Sequence, residues 1–129
     1  MNILVTGGAG FIGSNLVERL LADGHKVAVL DDFNDFYDPR IKRANLCNVL
    51  SNIALHEADI RDAEAVNRIV LGGKFDSIVH LAARAGVRPS IKEPKLYIDT
   101  NIAGTFNMLE AARQAGIHRF ICASSSSVY

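Results

Sequence analysis

Thr6-Gly7-Gly8-Ala9-Gly10-Phe11-Ile12-Gly13 decides the fold, because it joins the apolar run Ile3-Leu4-Val5 to a helical pattern that begins at Ile12. Glycines at 7, 10 and 13 give the spacing GxxGxxG, a variant of the commoner GxGxxG. A strand-to-helix turn with few side chains lets the backbone approach a pyrophosphate. The helix that follows offers free N–H groups at the positive end of its dipole. Glycine also serves tight turns that bind nothing, since it adopts φ > 0 without strain. The residues further along the chain separate these two possibilities.

The next apolar run, Val27-Ala28-Val29-Leu30, ends in Asp31-Asp32, 18 residues beyond Gly13. A carboxylate there can accept hydrogen bonds from both hydroxyls of an adenosine ribose. It also repels a 2′-phosphate: unit charges about 4 Å apart cost roughly 4 kcal/mol at an effective dielectric of about 20. Asp31 therefore predicts NAD in preference to NADP, while Asp32 reads equally as a loop residue. After the third run, Asp59-Ile60-Arg61 falls where an adenine would rest on the sheet edge. Asp59 is suited to accept from the adenine amino group and Ile60 to cover a ring face, although an Asp in a βα loop also caps helices. After the fourth run, His80-Leu81-Ala82-Ala83 puts small residues along the path of a dinucleotide backbone. His80 itself reads as a hydrogen-bonded core histidine.

Short runs rich in Val and Ile alternate with longer segments of helical period, the pattern of parallel strands covered by helices on both faces. The chain reads β-α-β-α-β-α-β-α-β. The expectation is an α/β fold of the Rossmann type: a doubly wound parallel sheet of five strands in the order 3-2-1-4-5, within three α/β/α layers. Strands are placed at Ile3–Val5, Val27–Leu30, Ile53–His56, Ser77–His80 and Phe120–Cys122, each too apolar for a sheet face exposed to water. Ile12, Leu16 and Leu20 mark one face of a first helix closed by Asp23-Gly24, and a weaker helix starts at Arg40. Asp62 is an N-cap before Ala63, with Val66, Ile69 and Val70 in the stripe that follows. From Pro94, the positions Ile98, Ile102, Thr105, Leu109 and Ala112 follow helical spacing along a long fourth helix to Gly116.

With 129 residues, 49% of them hydrophobic and 22% charged, the chain forms one domain with a sizeable core, which excludes a disordered tail or linker. Lys plus Arg and Asp plus Glu number 14 each. No basic run supports a nucleic-acid or membrane surface, so the expected partner is a small molecule. Cys47 and Cys122 lie 75 positions apart without a CxxC or a His cluster, arguing against a disulfide framework or zinc site and for a reduced, cytoplasmic protein. The short opening run excludes a signal peptide, and no later segment reaches membrane-spanning length. The sequence stops at Val128-Tyr129, directly after a strand, where a doubly wound sheet ordinarily continues; a fragment is the expectation.

Thr6 to Ser14, Asp31, Asp59-Ile60-Arg61, His80-Leu81-Ala82-Ala83, Asn101-Ile102-Ala103-Gly104-Thr105 and Ser124-Ser125-Ser126-Ser127-Val128-Tyr129 carry a family resemblance that runs in order along the whole chain. Together they resemble the extended short-chain dehydrogenase/reductase superfamily, in its NAD-dependent sugar-nucleotide epimerase/dehydratase branch. The resemblance implies a tightly held NAD, with contacts at Gly7, Gly10, Phe11, Ile12, Gly13, Asp31, Asp32, Asp59, Ile60, Leu81, Ala82, Ala83 and Asn101. It also implies hydride removal from a nucleotide-sugar hydroxyl, a 4-keto sugar and, in the epimerases, return of the hydride to the other face.

Asp32-Phe33-Asn34-Asp35-Phe36-Tyr37-Asp38 and Ala85-Gly86-Val87-Arg88-Pro89-Ser90 look like segments of UDP-glucuronate 4-epimerases, where Arg88 would bind a uronate carboxylate. A UDP-glucose epimerase is the neighbouring expectation. Ser125 takes the place of the family's strand-end catalytic hydroxyl, with Ser126 beside it toward the substrate. The 4,6-dehydratases carry Asp-Glu where this chain has Ser126-Ser127, which disfavours dehydration. The family's YxxxK base and its sugar-nucleotide-binding part lie beyond Tyr129. Residues 1–129 are thus expected to form the NAD-binding domain of a protein that is a homodimer when complete, and to bind NAD without turnover. The alternatives are a stand-alone NAD-binding or redox-sensing module, and a dehydratase, decarboxylase or reductase of the same superfamily.

Overall fold

Residues apolar on both sides of the backbone put the strands at the centre of the molecule. β1 (Asn2–Thr6), β2 (Lys26–Asp31), β3 (Ile53–Glu57), β4 (Ser77–His80) and β5 (Arg119–Cys122) pair in parallel in the expected order, β3-β2-β1-β4-β5. The direction of winding reverses at β1, whose Val5 stands between Val29 of β2 and Val79 of β4. At such a reversal the two connections leave the strand ends on opposite faces and a crevice opens between them. The computed structural model describes residues 1–129, except for the side chain of Ser126.

Helices cover both faces. α1 (Phe11–Ala22) and α2 (Pro39–Leu46) pack Val17 and Leu46 onto Ile3, Val5, Val27 and Val29. α3 (Ala63–Gly73), capped by Asp62 as expected, brings Val66, Ile69 and Val70 to the opposite face, against Leu4, Leu30 and Ile78. Two short helices, α4 (Val87–Lys92) and α5 (Pro94–Tyr97), follow β4; the first has no counterpart in the sequence expectation. The chain then runs through a π-helical stretch, Ile98–Gly104, into α6 (Thr105–Gln114), which adds Met108, Ala111 and Ala112 to the second face.

Three expectations need correction. The long fourth helix exists but presents another face: of the expected stripe Ile98, Ile102 (66% exposed) and Leu109 point outward and Ala112 is buried, and the rest of the buried side is Thr100, Gly104, Met108 and Ala111. Close approach to the loop between β3 and α3 explains it, because a Cβ on Gly104 would stand 2.6 Å from Ile60 Cγ1. Small side chains, not bulky ones, make the contact, and the π stretch advances the register by adding residues to the turn. In α1, Ile12 is likewise exposed and the buried side consists of Gly13, Ser14 and Val17. Lastly, β5 is not sealed from water: as an edge strand it leaves Ile121 60% exposed.

The two faces of α6 and the π stretch before it should respond differently to substitution. Met108→Ala is expected to cost about 2–5 kcal/mol of stability, whereas Ile102→Ser should stay within about 0.5 kcal/mol. Urea unfolding measures both, and the opposite ranking would restore the apolar stripe as the buried face.

Candidate functional site

The crevice at the C-terminal end of β1 is built from the glycine loop upward. Gly7 turns the chain out of β1 at φ 69°, and a Cβ there would meet Ala82 N at 2.8 Å. Its N–H bonds Leu30 O at 2.8 Å, which ties the loop to β2. A side chain on Gly13 would overlap the Gly7 carbonyl, so α1 can begin this close to β1 only with glycine at that position. Gly10 is the N-cap of α1 and no side chain caps the helix. The first-turn N–H groups therefore lack intrahelical partners, which suits this end of α1, beside the cleft-lining Gly10, to an anion.

Asp31, 6% exposed, closes the loop from the β2 side. Its Oδ2 accepts from Ala9 N at 3.0 Å and its Oδ1 from Phe33 N at 2.9 Å. A carboxylate has about four acceptor sites, so both oxygens keep capacity for a ligand. Phe33 takes φ 49°, unusual for an aromatic residue, and is held there by this bond and by the Arg43 guanidinium 4.0 Å above its ring. Arg43 in turn pairs with Glu57 of β3 at 2.5 Å. Asn45 of α2 donates to Ala9 O at 2.9 Å, a third anchor for the loop. Asp32 lines the cleft while its Oδ1 accepts from Asn34 N and Nδ2, so it also forms the turn. Tyr37 lies over Gly10, and burial together with the negative charge of Asp31 raises its hydroxyl above the ordinary tyrosine range.

The opposite wall depends on His80, 3% exposed. Thr6 Oγ1 accepts from Leu81 N at 3.2 Å and Ala82 N at 3.1 Å and lies 2.7 Å from His80 Nδ1. With its lone pairs taken, the Thr6 hydroxyl donates to Nδ1, which leaves the proton on Nε2 for Thr105 Oγ1, 3.0 Å away. Burial pushes the imidazole down to about 4, so the ring is neutral at pH 7. His80 is the satisfied core histidine the sequence suggested. Asn101 clamps the same wall by accepting from Arg84 N at 2.7 Å and donating to Arg84 O at 2.9 Å.

Asp59 lies at the outer end. Burial pushes its carboxyl up, but hydrogen bonds from the Arg61 side chain and backbone and the charges of Arg61 and Arg84 outweigh that and hold it below the usual carboxylate range. Thr100 also lines the cleft, with its buried hydroxyl unpartnered among the described residues.

One cleft of about 200 Å³ thus gathers Gly7, Gly10, Asp31, Asp32, Asp59, Ile60, Leu81, Ala82 and Ala83. The remaining sequence candidates are not among its lining residues. Phe11 and Ile12 are exposed on the first turn of α1, Gly13 is sealed beneath the loop, and Asn101 acts through Arg84. Arg88 is exposed on α4. Ser125 follows β5 with its Oγ accepting from Ser127 N at 3.1 Å, and the side chain of Ser126 lies outside the described residues. Sequence reasoning missed Tyr37, Lys42, Arg84 and Thr100 as lining residues. The spacing of Lys42 and Leu46, four apart on α2, was the available signal for Lys42.

The sequence profile of one family, described as GDP-mannose 4,6 dehydratase, matches residues 4–129. The chain belongs to that family. The chain is 41% identical over 128 residues to the UDP-glucuronate 4-epimerase of Thermodesulfobacterium geofontis, covering 98% of this chain and 40% of that protein. The NAD complex of the Thermus thermophilus UDP-glucose 4-epimerase superposes with TM-score 0.82 and 41% identity, over 93% of this chain and 36% of that one. The UDP-glucose complex of the Thermotoga maritima UDP-glucose 4-epimerase gives 0.85 and 38%, over 97% and 38%. The chain spans between 30% and 40% of the length of the curated relatives it matches. The placement of the motifs in the NAD-dependent epimerase/dehydratase branch of the extended short-chain dehydrogenase/reductases holds for this member of the GDP-mannose 4,6 dehydratase family.

His80 should make folding pH-dependent. Its value is about 4 when folded against 6.5 as a free side chain, so between these limits the unfolded chain takes up a proton that the folded chain refuses. The stability due to the neutral ring is complete above pH 6.5 and falls as the pH drops toward 4, by about 3 kcal/mol in all. Urea midpoints across that range should fall with pH, and less steeply in His80→Gln; parallel curves would deny the neutral, buried ring.

Proposed function

We propose that residues 1–129 are the NAD-binding part of a cytoplasmic sugar-nucleotide 4-epimerase acting on a UDP-sugar, either UDP-glucuronate or UDP-glucose. The observation that carries this reading is the bond from Ala9 N to Asp31 Oδ2, which sets an uncapped helix N-terminus and a carboxylate with spare acceptor capacity on one cleft. The residues fit a dinucleotide. Gly7 and Gly10 offer bare backbone, α1 would hold the pyrophosphate, Asp31 the ribose hydroxyls and Asp59 the adenine amino group. The unpartnered Thr100 hydroxyl adds a polar atom in want of a ligand. NAD, when bound, supplies a hydride acceptor that can later give the hydride back.

The substrate class is supported by the relatives, among them a UDP-glucuronate 4-epimerase and UDP-glucose 4-epimerases. Ser126-Ser127 in place of an acid pair favours epimerisation over elimination. Ser125 Oγ accepts from Ser127 N, which leaves its own proton to donate to a sugar oxygen. Arg88, exposed on α4, is the proposed partner of a uronate carboxylate. The complete protein would supply the tyrosine base and the sugar-nucleotide pocket and would act as a homodimer.

Calorimetric titration tests the cofactor. The 129-residue chain is expected to bind NAD at least about tenfold more tightly than NADP, and Asp31→Ala to close that gap. An unchanged preference would show that Asp31 does not meet the ribose. Residues 1–129 should show no epimerisation of either UDP-sugar. In the complete protein Ser125→Ala should lower kcat about 10²- to 10⁴-fold with NAD affinity intact; equal losses in both would remove Ser125 from the chemistry.

A further inference from the structure

The two walls of the crevice part at the end of β1 and meet again at its outer side. One wall continues from β2 into residues 32–38, the other from β4 into residues 81–86. Phe36 on the first stands against Gly86 on the second: a Cβ on Gly86 would lie 3.8 Å from Phe36 Cζ. Phe36 lines the cleft together with Arg84 and Ala85 and is 49% exposed, so its ring separates the cleft from solvent. The enclosed volume, about 200 Å³, is below the roughly 300–1,000 Å³ of sites that take drug-sized ligands. A dinucleotide is no smaller than such ligands, so one wall has to give way before it can enter or leave.

The hydrogen bonds decide which wall moves. Arg84 is held on both sides by Asn101, at 2.7 and 2.9 Å, and Ala85 O accepts from the Tyr97 hydroxyl at 2.7 Å. Both anchors belong to the run of α5 and the π stretch. Residues 34–36 have no such tie. Asn34 N and Nδ2 donate to Asp32 Oδ1 and Phe36 N donates to Asn34 Oδ1, so among the described residues every hydrogen bond of this segment stays within residues 32–36. The segment hangs between two fixed points: Phe33, bonded to Asp31 and covered by Arg43, and Tyr37, whose ring faces Lys42 Nζ at 5.0 Å. Carbon contacts of the Phe36–Gly86 kind are individually weak, and exposed segments with only local hydrogen bonds open at low cost. We propose that residues 34–36 are a strap across the dinucleotide cleft, latched by Phe36 on Gly86, and that its opening sets the rates at which the cofactor enters and leaves. This rests on the dinucleotide reading proposed above and adds how access to that site is controlled. Because the latch joins protein to protein, it slows both directions without strengthening binding.

Stopped-flow mixing of the 129-residue chain with NADH, whose own fluorescence reports binding, gives the entry rate, and displacement by excess NAD gives the exit rate. Phe36→Ala is expected to raise both about three- to tenfold while Kd changes less than about twofold. A change in one rate without the other overturns the proposal, faster exit alone marking Phe36 as a direct contact of the ligand, and so do unchanged rates. A melting curve checks the fold. Should Phe36→Ala not fold, Asn34→Ala, which removes the bond to Phe36 N, takes its place under the same criteria. If the unsubstituted chain binds no NADH, the dinucleotide proposal falls first and the strap with it; binding at rates indifferent to residues 34–36 removes the strap alone.

Discussion

A carboxylate buried at the end of β2, accepting from the backbone of two different loops, is the constraint on which the rest of this site depends. Asp31 has no ion-pair partner among the described residues; its two oxygens are held by the N–H groups of Ala9 and Phe33. Hydrogen bonds to a charged acceptor are worth about 1.5–3 kcal/mol each, enough to fix the glycine loop and to hold Phe33 in the left-handed region. The same geometry keeps a negative, partly unsatisfied acceptor pointed into the crevice. Loop shape and ligand preference therefore have one cause, and neither can be changed without the other.

The opposite wall is held by a single helical run. Thr105, at the first turn of α6, receives the proton of His80, which fixes Thr6 and through it the N–H groups of Leu81 and Ala82. Asn101, within the π stretch, grips Arg84, and Asn107 donates to Ile60 O at 2.8 Å. Gly104 lets Ile60 pack against the backbone. A π turn rotates successive side chains differently from an α turn, and here it lets residues 101, 105 and 107 reach three separate parts of the cleft. Each neutral bond contributes only about 1 kcal/mol. Their value lies in converging on one wall.

Much of this was legible in the sequence because it follows from local rules. The GxxGxxG turn, Asp31 eighteen residues beyond it, the Asp62 cap and the five apolar runs each sit where strand and helix periodicity demand. What escaped was set by contacts distant in sequence. On the buried face of the last helical run only Met108 is large; Thr100, Gly104, Ala111 and Ala112 beside it are too small to register as an apolar stripe. Ile98, Ile102 and Leu109 look like core and are exposed. The bonds of Asn101, within the π stretch, to the backbone of Arg84 have no signal in the sequence. Lys42 was invisible as a site residue because a lysine near a weak helix reads as solvated, and only the packing of Leu46 beside it turns it inward.

The central claim is that the glycine loop, Asp31 and the wall held by His80 form one dinucleotide site, and amide chemical shifts during an NAD titration test it most directly. The account predicts that perturbation concentrates at residues 7–13, 31–33, 58–60 and 81–84, with Ala9 and Phe33 among the strongest because their N–H groups share the Asp31 oxygens with the ligand. Perturbation confined to the outer face of residues 98–109, or spread evenly over the surface, would contradict it.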